Sequence, residues 1–255
     1  MNTTSVREMA KSKRRSDILQ TARKLMLASA DDGFSMRALA EAAGVSSATP
    51  YNLFGSKHEI LKRLLADDLA SYQKALSQLP STGVELMFDA VGLMRQFLDG
   101  QPGFYRNIMR EVNADPGSGM REVAGGPRYK LWRQMLKQAT TDGYLVQGFD
   151  PDALTVTLTQ MIAANVREWA SGHLDLTEME ARIRYGMAML LLALATEASR
   201  EAVQQRWRTA EQDLQNCWRA ALSKRLQQDD LDDDARAMLV NQLQYFQSLQ
   251  SANAD

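Results

Sequence analysis

The chain has 255 residues, 45% of them hydrophobic and 24% charged, with 6 prolines. This composition excludes a collagen-like or low-complexity chain and shows no disorder signature over most of its length. The net charge of −1 conceals an asymmetry: residues 1–65 hold 11 Lys+Arg against 6 Asp+Glu, and residues 66–255 hold 19 against 25, a basic head on an acidic body that points to a polyanion-binding module joined to one that does not bind polyanions.

Strand signals are scarce. Val and Ile rarely alternate with polar residues, while Ala, Leu, Met, Gln, Glu and Arg dominate, so the expected fold is all-α. The first helix is expected from about Ser12 to Ser29, with Ile18, Ala22 and Leu25 on one face and Gly33 as its C-terminal stop. The basic run Lys11 to Arg15 reads either as a solvated tail or as an arm for phosphate or the minor groove. Ser35 caps a short helix, Met36 to Ala43; Gly44 breaks it; Ser46 caps a second short helix to Phe54; and Ser56 caps a longer one from Lys57 to about Leu79. Pro80 to Gly83 is a linker. Further helices are expected at 84–99, 102–113, 127–142, 151–171 and 177–197, the fourth of them opened by Asp150 as N-cap and Pro151 in its first turn. Asp115 to Pro127 reads as a Gly/Pro-rich loop, with room for one helical turn around Met120 to Val123. Helices at 199–227 and 234–250 follow, parted by the acidic stretch Asp229 to Asp234. The longest apolar run, Tyr185 to Ala195, is too short to span a bilayer. Met1 to Ser16 lacks the apolar core of a secretory signal. The lone Cys217 forms no intramolecular disulfide and suits a reducing cytoplasm.

The segment Phe34 to Phe54 carries the chemistry. Two short helices meet at Ala43-Gly44-Val45, where Gly44 can take the left-handed conformation that a tight turn between crossed helices needs. Leu39, Ala40 and Ala43 make an inner face, while Phe34 and Phe54 close a small core against Ile18, Leu25 and Leu61. Ser46, Ser47, Thr49 and Asn52 are left to face outward as the expected base readers. This is the layout of a helix-turn-helix, whose second helix enters the major groove. Small residues such as Ser47 and Ala48 allow close approach, and Asn52 offers a donor and an acceptor matched to adenine. Tyr51 and Thr49 offer hydroxyls to phosphate. Lys57 stands at a helix start, where its charge and the free N–H groups favour an anion. Arg37 is within reach of a base or a phosphate. The bland alternative is a three-helix structural module without DNA.

In order and spacing, Ser35-Met36-Arg37, Leu39-Ala40, Ala43-Gly44-Val45-Ser46, Thr49, Tyr51, Phe54, Lys57 and Leu61 resemble the N-terminal module of the TetR (tetracycline-repressor) family of regulators over about residues 12–62. The resemblance implies an all-α homodimer with a DNA-binding head at 1–62 and a helical effector-binding and dimerisation domain at 63–200. The remainder, 201–255, is a polar helical extension. It implies a cytoplasmic repressor that binds a palindromic double-stranded operator and is released by a small molecule. Two positions depart from the pattern. Pro50 stands where the family has Leu, Ile or Phe. Leu53 replaces a His or Tyr that often touches phosphate, which shifts the expected phosphate contacts to Tyr51, Lys57 and the basic arm.

The resemblance also places the dimer interface at 151–171 and 177–197. The second of these is apolar on every side and so calls for a self-complementary partner surface. Met94, Phe97, Phe104, Trp132, Met161 and Trp169 are the candidates for a partly apolar effector pocket. His58 and His173 are read as surface residues, and two isolated histidines with one cysteine make no metal site. Neither Gly117-Ser118-Gly119 nor Gly125-Gly126-Pro127 ends as a phosphate loop does, and Asp229 to Asp234 lacks an EF-hand's Gly and terminal Glu. No nucleophile–base constellation is visible, so catalysis and a cofactor are not expected. A helical scaffold acting through the extension is the other alternative.

Overall fold

Side chains at the helix starts explain most of the boundaries. Ser35 Oγ accepts the Ala38 N–H at 3.1 Å and Ser56 Oγ accepts that of Glu59 at 3.2 Å. The Asp150 carboxylate accepts the Asp152 and Ala153 N–H groups at 2.8 and 3.3 Å, and Asp175 accepts that of Glu178 at 2.8 Å. Each satisfies donors that the first helical turn leaves without a backbone partner.

The computed structural model describes residues 3–28, 33–114, 120–228 and 230–252. Among them are eleven helices and no strand: α1 (Thr3–Ala28), α2 (Met36–Ala42), α3 (Ala48–Phe54), α4 (Lys57–Leu76), α5 (Gly83–Gly100), α6 (Pro102–Ala114), α7 (Met120–Thr141), α8 (Pro151–Ala170), α9 (Leu176–Leu192), α10 (Glu197–Leu226) and α11 (Asp233–Ala252). An isolated antiparallel bridge joins Leu145 to Ala195.

The head closes on the residues expected to close it. Ile18, Ala22 and Met26 of α1 are buried at helical spacing against Phe34, Met36, Leu39 and Ala40, with Ile60 and Leu61 of α4 beneath them. Gly44, at φ +64°, makes the left-handed step between α2 and α3. The basic run Lys11 to Arg15 is part of α1 and is exposed, so it is not a loose tail but a set of charges presented by a helix. Arg15 Nη2 donates to the Leu53 carbonyl at 3.2 Å, pinning the end of α3 to α1.

One expectation for the body is corrected in part. Of the expected loop from Asp115 to Pro127, residues 115–119 lie outside the described residues; the helical turn expected around Met120 to Val123 is present, but the helix runs on through Pro127 as the start of α7. The later face of α7 explains this: Trp132, Met135, Leu136 and Ala139 are all buried, and that burial outweighs the lost backbone hydrogen bond. Part of the apolar circumference of 177–197 is covered within one chain. α9 packs against α5, α8 and, most extensively, α10. Met179, Ala181, Ile183, Met187, Ala188 and Leu191 are buried within one chain, while Met189 stays 46% exposed.

The head is tied to the body through α1, α4 and α6. Arg23 of α1 pairs with Asp68 of α4 at 3.3 Å and donates to Gln101 Oε1 at 2.8 Å and to the Leu64 carbonyl at 3.3 Å. The Tyr105 hydroxyl of α6 donates to the other Asp68 oxygen. Asn107 Nδ2 donates to the Met26 carbonyl at 3.1 Å. Gly103 lets α6 come close to the end of α1, since a Cβ there would sit 3.3 Å from the Leu27 carbonyl oxygen. On the far side, Arg206 of α10 pairs with Glu85 of α5 and its guanidinium lies over the Phe88 ring. α11 packs chiefly on α10 and leaves Met238 and Tyr245 more than half exposed.

Candidate nucleic-acid interface and interior cavity

The outer face of α2 and α3 presents Ser35, Arg37, Ser46, Ser47, Ala48, Tyr51 and Asn52, all exposed, with Tyr51 at 54%. The hydroxyls are not equally available. Ser35 Oγ is taken by the α2 cap. Ser46 Oγ and Thr49 Oγ1 lie 2.8 Å apart and pair with each other, which rigidifies the turn into α3. Ser47, expected inside the helix, is its N-cap residue and makes no side-chain cap bond. Asn52 and Tyr51 are free of such ties.

The departures at Pro50 and Leu53 have structural reasons. Pro50 is buried in the first turn of α3, where its missing N–H costs no helical hydrogen bond. Leu53 is half-buried and packs on the core, its carbonyl held by Arg15.

Lys57 does not point into open solvent. Its Nζ lies 2.5 Å from Glu111 Oε1 of α6 and 5.6 Å from the Phe34 ring centroid. His58 Nε2 is 3.7 Å from the other Glu111 oxygen, so this histidine, expected at the surface, is half-buried at the head–body joint. His173 is exposed and beside Glu168 at 3.2 Å. Among the described residues no cluster of His, Cys, Asp and Glu could hold a metal ion.

Within the body, two adjoining cavities share the wall Arg128, Trp132, Ile162 and Val166. The inner one, about 60 Å³, is walled by α4 (Leu65, Asp68, Leu69, Tyr72), α5 (Met94, Phe97, Leu98) and Tyr105 of α6. The outer one, about 500 Å³, opens between α6, α7 and α8 past Met109, Gly125, Thr159 and Arg167. That is in the range of roughly 300–1,000 Å³ typical of small-molecule sites. Gly125 leaves its mouth wide, since a Cβ there would meet nothing within 4 Å.

Of the six expected pocket residues, Met94, Phe97 and Trp132 line these cavities. The other three are corrected to packing. Phe104 is fully buried beneath the Arg23 guanidinium, 4.5 Å from its ring centroid. Trp169 is buried with Arg106 over its face at 5.4 Å. Met161 fills the space that Gly186 leaves between α8 and α9. Apolar composition cannot separate core from cavity wall, because both are selected for burial.

Sequence reasoning also missed Arg128, Tyr72 and Tyr105. Burial pushes the Tyr72 and Tyr105 phenols well above their ordinary range, and Asp68 raises Tyr105 further, so both stay neutral hydrogen-bonding groups. Burial lowers the pKa of the Arg128 guanidinium, against the opposing pull of Tyr105, Tyr72 and Asp68. Away from the cavities, Arg133 and Tyr129 of α7 hold the Asp152 carboxyl of α8 down at about 2, fastening α7 to α8 across the physiological pH range. The one available signal was an Arg directly after Gly-Gly-Pro and at helical spacing from Trp132.

A larger groove of about 1080 Å³ lies between α9 and α10. Its charges are largely matched in place: Arg184 and Arg95 reach Glu180 at 2.8 and 3.2 Å, and Arg206 reaches Glu85. Self-neutralised surface of this kind offers little to a ligand.

Comparison with known proteins agrees with this geometry. Residues 18–64 match the model of the family described as "Bacterial regulatory proteins, tetR family". No curated protein matches the chain. Among solved structures, the Thermus thermophilus FadR repressor, a TetR-family protein in complex with lauroyl-CoA, is similar at 20% identity and TM-score 0.60, over 72% of this chain and 96% of that one. A TetR regulator from Rhodococcus sp. RHA1 is similar at 16% identity and TM-score 0.57, over 74% and 100%. A TetR-family regulator from Agrobacterium tumefaciens is similar at 18% and 0.53, over 73% and 100%. These likenesses establish the fold, an N-terminal helix-turn-helix head on a helical body.

Proposed function

We propose that this chain, whose head matches the tetR family and whose fold is that of TetR-family regulators, is a ligand-responsive DNA-binding transcription regulator, acting as a repressor. The observation that carries the reading is the matched head, with Arg37, Ser47, Ala48, Tyr51 and Asn52 exposed on one face. Asn52 and Ser47 read bases; Tyr51 and Arg37 fix register on phosphates. A palindromic operator is bound by a homodimer, and α8 and α9 supply its interface, where exposed Val156 and Met189 support the assignment. The protein works in the cytoplasm, by binding rather than catalysis. No helix among the described residues is long and apolar enough to cross a membrane.

The switch runs through α4 and α6. Both helices wall the cavities, through Leu65, Asp68, Tyr72, Tyr105 and Met109. Both also reach the head, through Lys57, Glu111 and Asn107. A ligand that binds better to one arrangement of α4 and α6 shifts the heads with them, by no more than that difference in affinity.

Selection of binding sites from random DNA tests the base-reading role. Asn52→Ala is expected to relax preference at one base position by about 1–3 kcal/mol. A recovered motif identical to that of the unmodified protein contradicts it.

Lys57 is the phosphate ligand held in reserve. In the free protein it is neutralised by Glu111; on DNA it exchanges that carboxylate for a phosphate. Glu111→Gln is therefore expected to tighten binding at low salt for all sequences alike, while Lys57→Met flattens the dependence of log affinity on log salt by about one unit. Equal slopes in the unmodified protein and Lys57→Met remove Lys57 from the DNA contacts.

A further inference from the structure

The interior of the body carries a charge imbalance. Arg128 sits on the wall shared by both cavities. Among the described residues it makes no hydrogen bond and no close ion pair. The single carboxylate near it, Asp68, is already engaged on both oxygens, one by Arg23 at 3.3 Å and the other by the Tyr105 hydroxyl. Two guanidinium groups thus share one acid. Among the described residues the outer cavity adds Arg167 and no acid, while most of the rest of its wall is apolar: Met109, Val112, Trp132, Ile162, Ala163 and Val166. A half-buried cation without a close counterion is costly, and the cost is met when a complementary anion arrives. Arginine remains charged under any working condition, so it selects for charge and for the planar, two-oxygen geometry of an acidic group.

We propose that these cavities bind an organic anion, with one acidic group held by Arg128 and an apolar body lying in the outer cavity against Trp132, Ile162 and Val166. The inference deepens the reading of this site as the effector pocket and rests on that reading for its regulatory meaning, though not for the binding itself. The acidic group sits at Arg128 on the side of the outer cavity, since the inner one, about 60 Å³, is already walled by the Asp68 carboxylate; the outer cavity of about 500 Å³ takes a body of naphthalene or medium-chain aliphatic size. Seating an anion there draws Arg128 of α7 away from Asp68, the acid that also holds the Tyr105 hydroxyl of α6, the helix that holds Lys57 through Glu111.

The test uses two fluorescent probes that differ by one acidic group, 1-anilinonaphthalene-8-sulfonate and the neutral N-phenyl-1-naphthylamine, titrated into the full-length protein. The sulfonate probe is expected to bind roughly ten- to a hundredfold tighter. Arg128→Met is expected to erase that preference, and Arg128→Lys, which keeps the charge with less disturbance of the fold, to retain part of it. Dodecanoate and dodecyl phosphate compete for the bound probe, and whichever displaces it at lower concentration identifies the acidic group. Equal binding of the two probes by the unmodified protein, an anion preference that survives Arg128→Met in a folded variant, or displacement by dodecanol as readily as by either acid would each overturn the proposal. DNA affinity measured with and without dodecanoate separates the two claims. Arg128-dependent binding that leaves DNA affinity unchanged keeps the anion site and removes its role as effector pocket.

Discussion

Asp68→Ala is expected to destabilise the protein by about 3–5 kcal/mol, because it removes the anion from a buried pair and leaves its partners uncompensated. Asp68 is 7% exposed and belongs to α4, yet it holds Arg23 of α1 and Tyr105 of α6. Its loss leaves Arg23 with Gln101 and the Leu64 carbonyl, and removes the acid from the cavity wall that Arg128 shares. Surface ion pairs elsewhere, such as Lys62 with Glu59 at 2.8 Å, are worth about 1 kcal/mol or less by contrast. At roughly 2–4 °C per kcal/mol for a chain of this size, the variant melts on the order of 10 °C lower. Urea denaturation of both proteins checks the value. A loss below about 1 kcal/mol would mean that Arg23 and Tyr105 are held by their other contacts and that Asp68 is not the joint between head and body.

Leu39→Ala is expected to cost about 2–5 kcal/mol, the range for truncating a fully buried leucine that leaves a cavity behind. Leu39 is 0% exposed and belongs to the same buried core as Met26, Met36 and Leu61. The head has few other large side chains to collapse into the space, which places the cost in the upper part of the range. The effect on function is indirect. Leu39 faces away from the exposed surface of α3, so DNA affinity falls because α2 and α3 lose their fixed crossing. Amide hydrogen exchange separates this from global unfolding: α2 and α3 are expected to lose protection while α8 and α9 keep theirs. Unchanged protection of α2 and α3 would show that the head core repacks around the smaller side chain.

The head was legible because its elements obey local rules. Ser35 and Ser56 cap where a serine before an apolar-periodic run should, and Gly44 takes the positive φ its turn requires. The start of α3 moved from Ser46 to Ala48 because Ser46 pairs with Thr49 rather than capping the helix. In the body, local signals compete with packing and lose: Gly125-Gly126-Pro127 reads as a loop, but the buried face of Trp132, Met135, Leu136 and Ala139 carries the helix through it. The pocket was the least legible part. Met94, Phe97 and Trp132 are chemically indistinguishable from Phe104, Met161 and Trp169, and only the three-dimensional arrangement separates wall from core. Its most telling members, Arg128 and Tyr105, carry charge or a hydroxyl, a type that a search for apolar lining passes over. Lys57 was identified by position, but its partner Glu111 lies 54 residues away in sequence, beyond the reach of any local pattern.

The most direct measurement of the central claim is fluorescence-anisotropy titration of the full-length protein with DNA from upstream of its own gene and with a scrambled duplex, repeated over a salt series. Tight, sequence-dependent binding by a dimer, weakening linearly in log salt, is the predicted result. Equally weak binding of both duplexes, together with no enriched motif in a genome-wide selection, would contradict the assignment of α2 and α3 as a DNA-reading head.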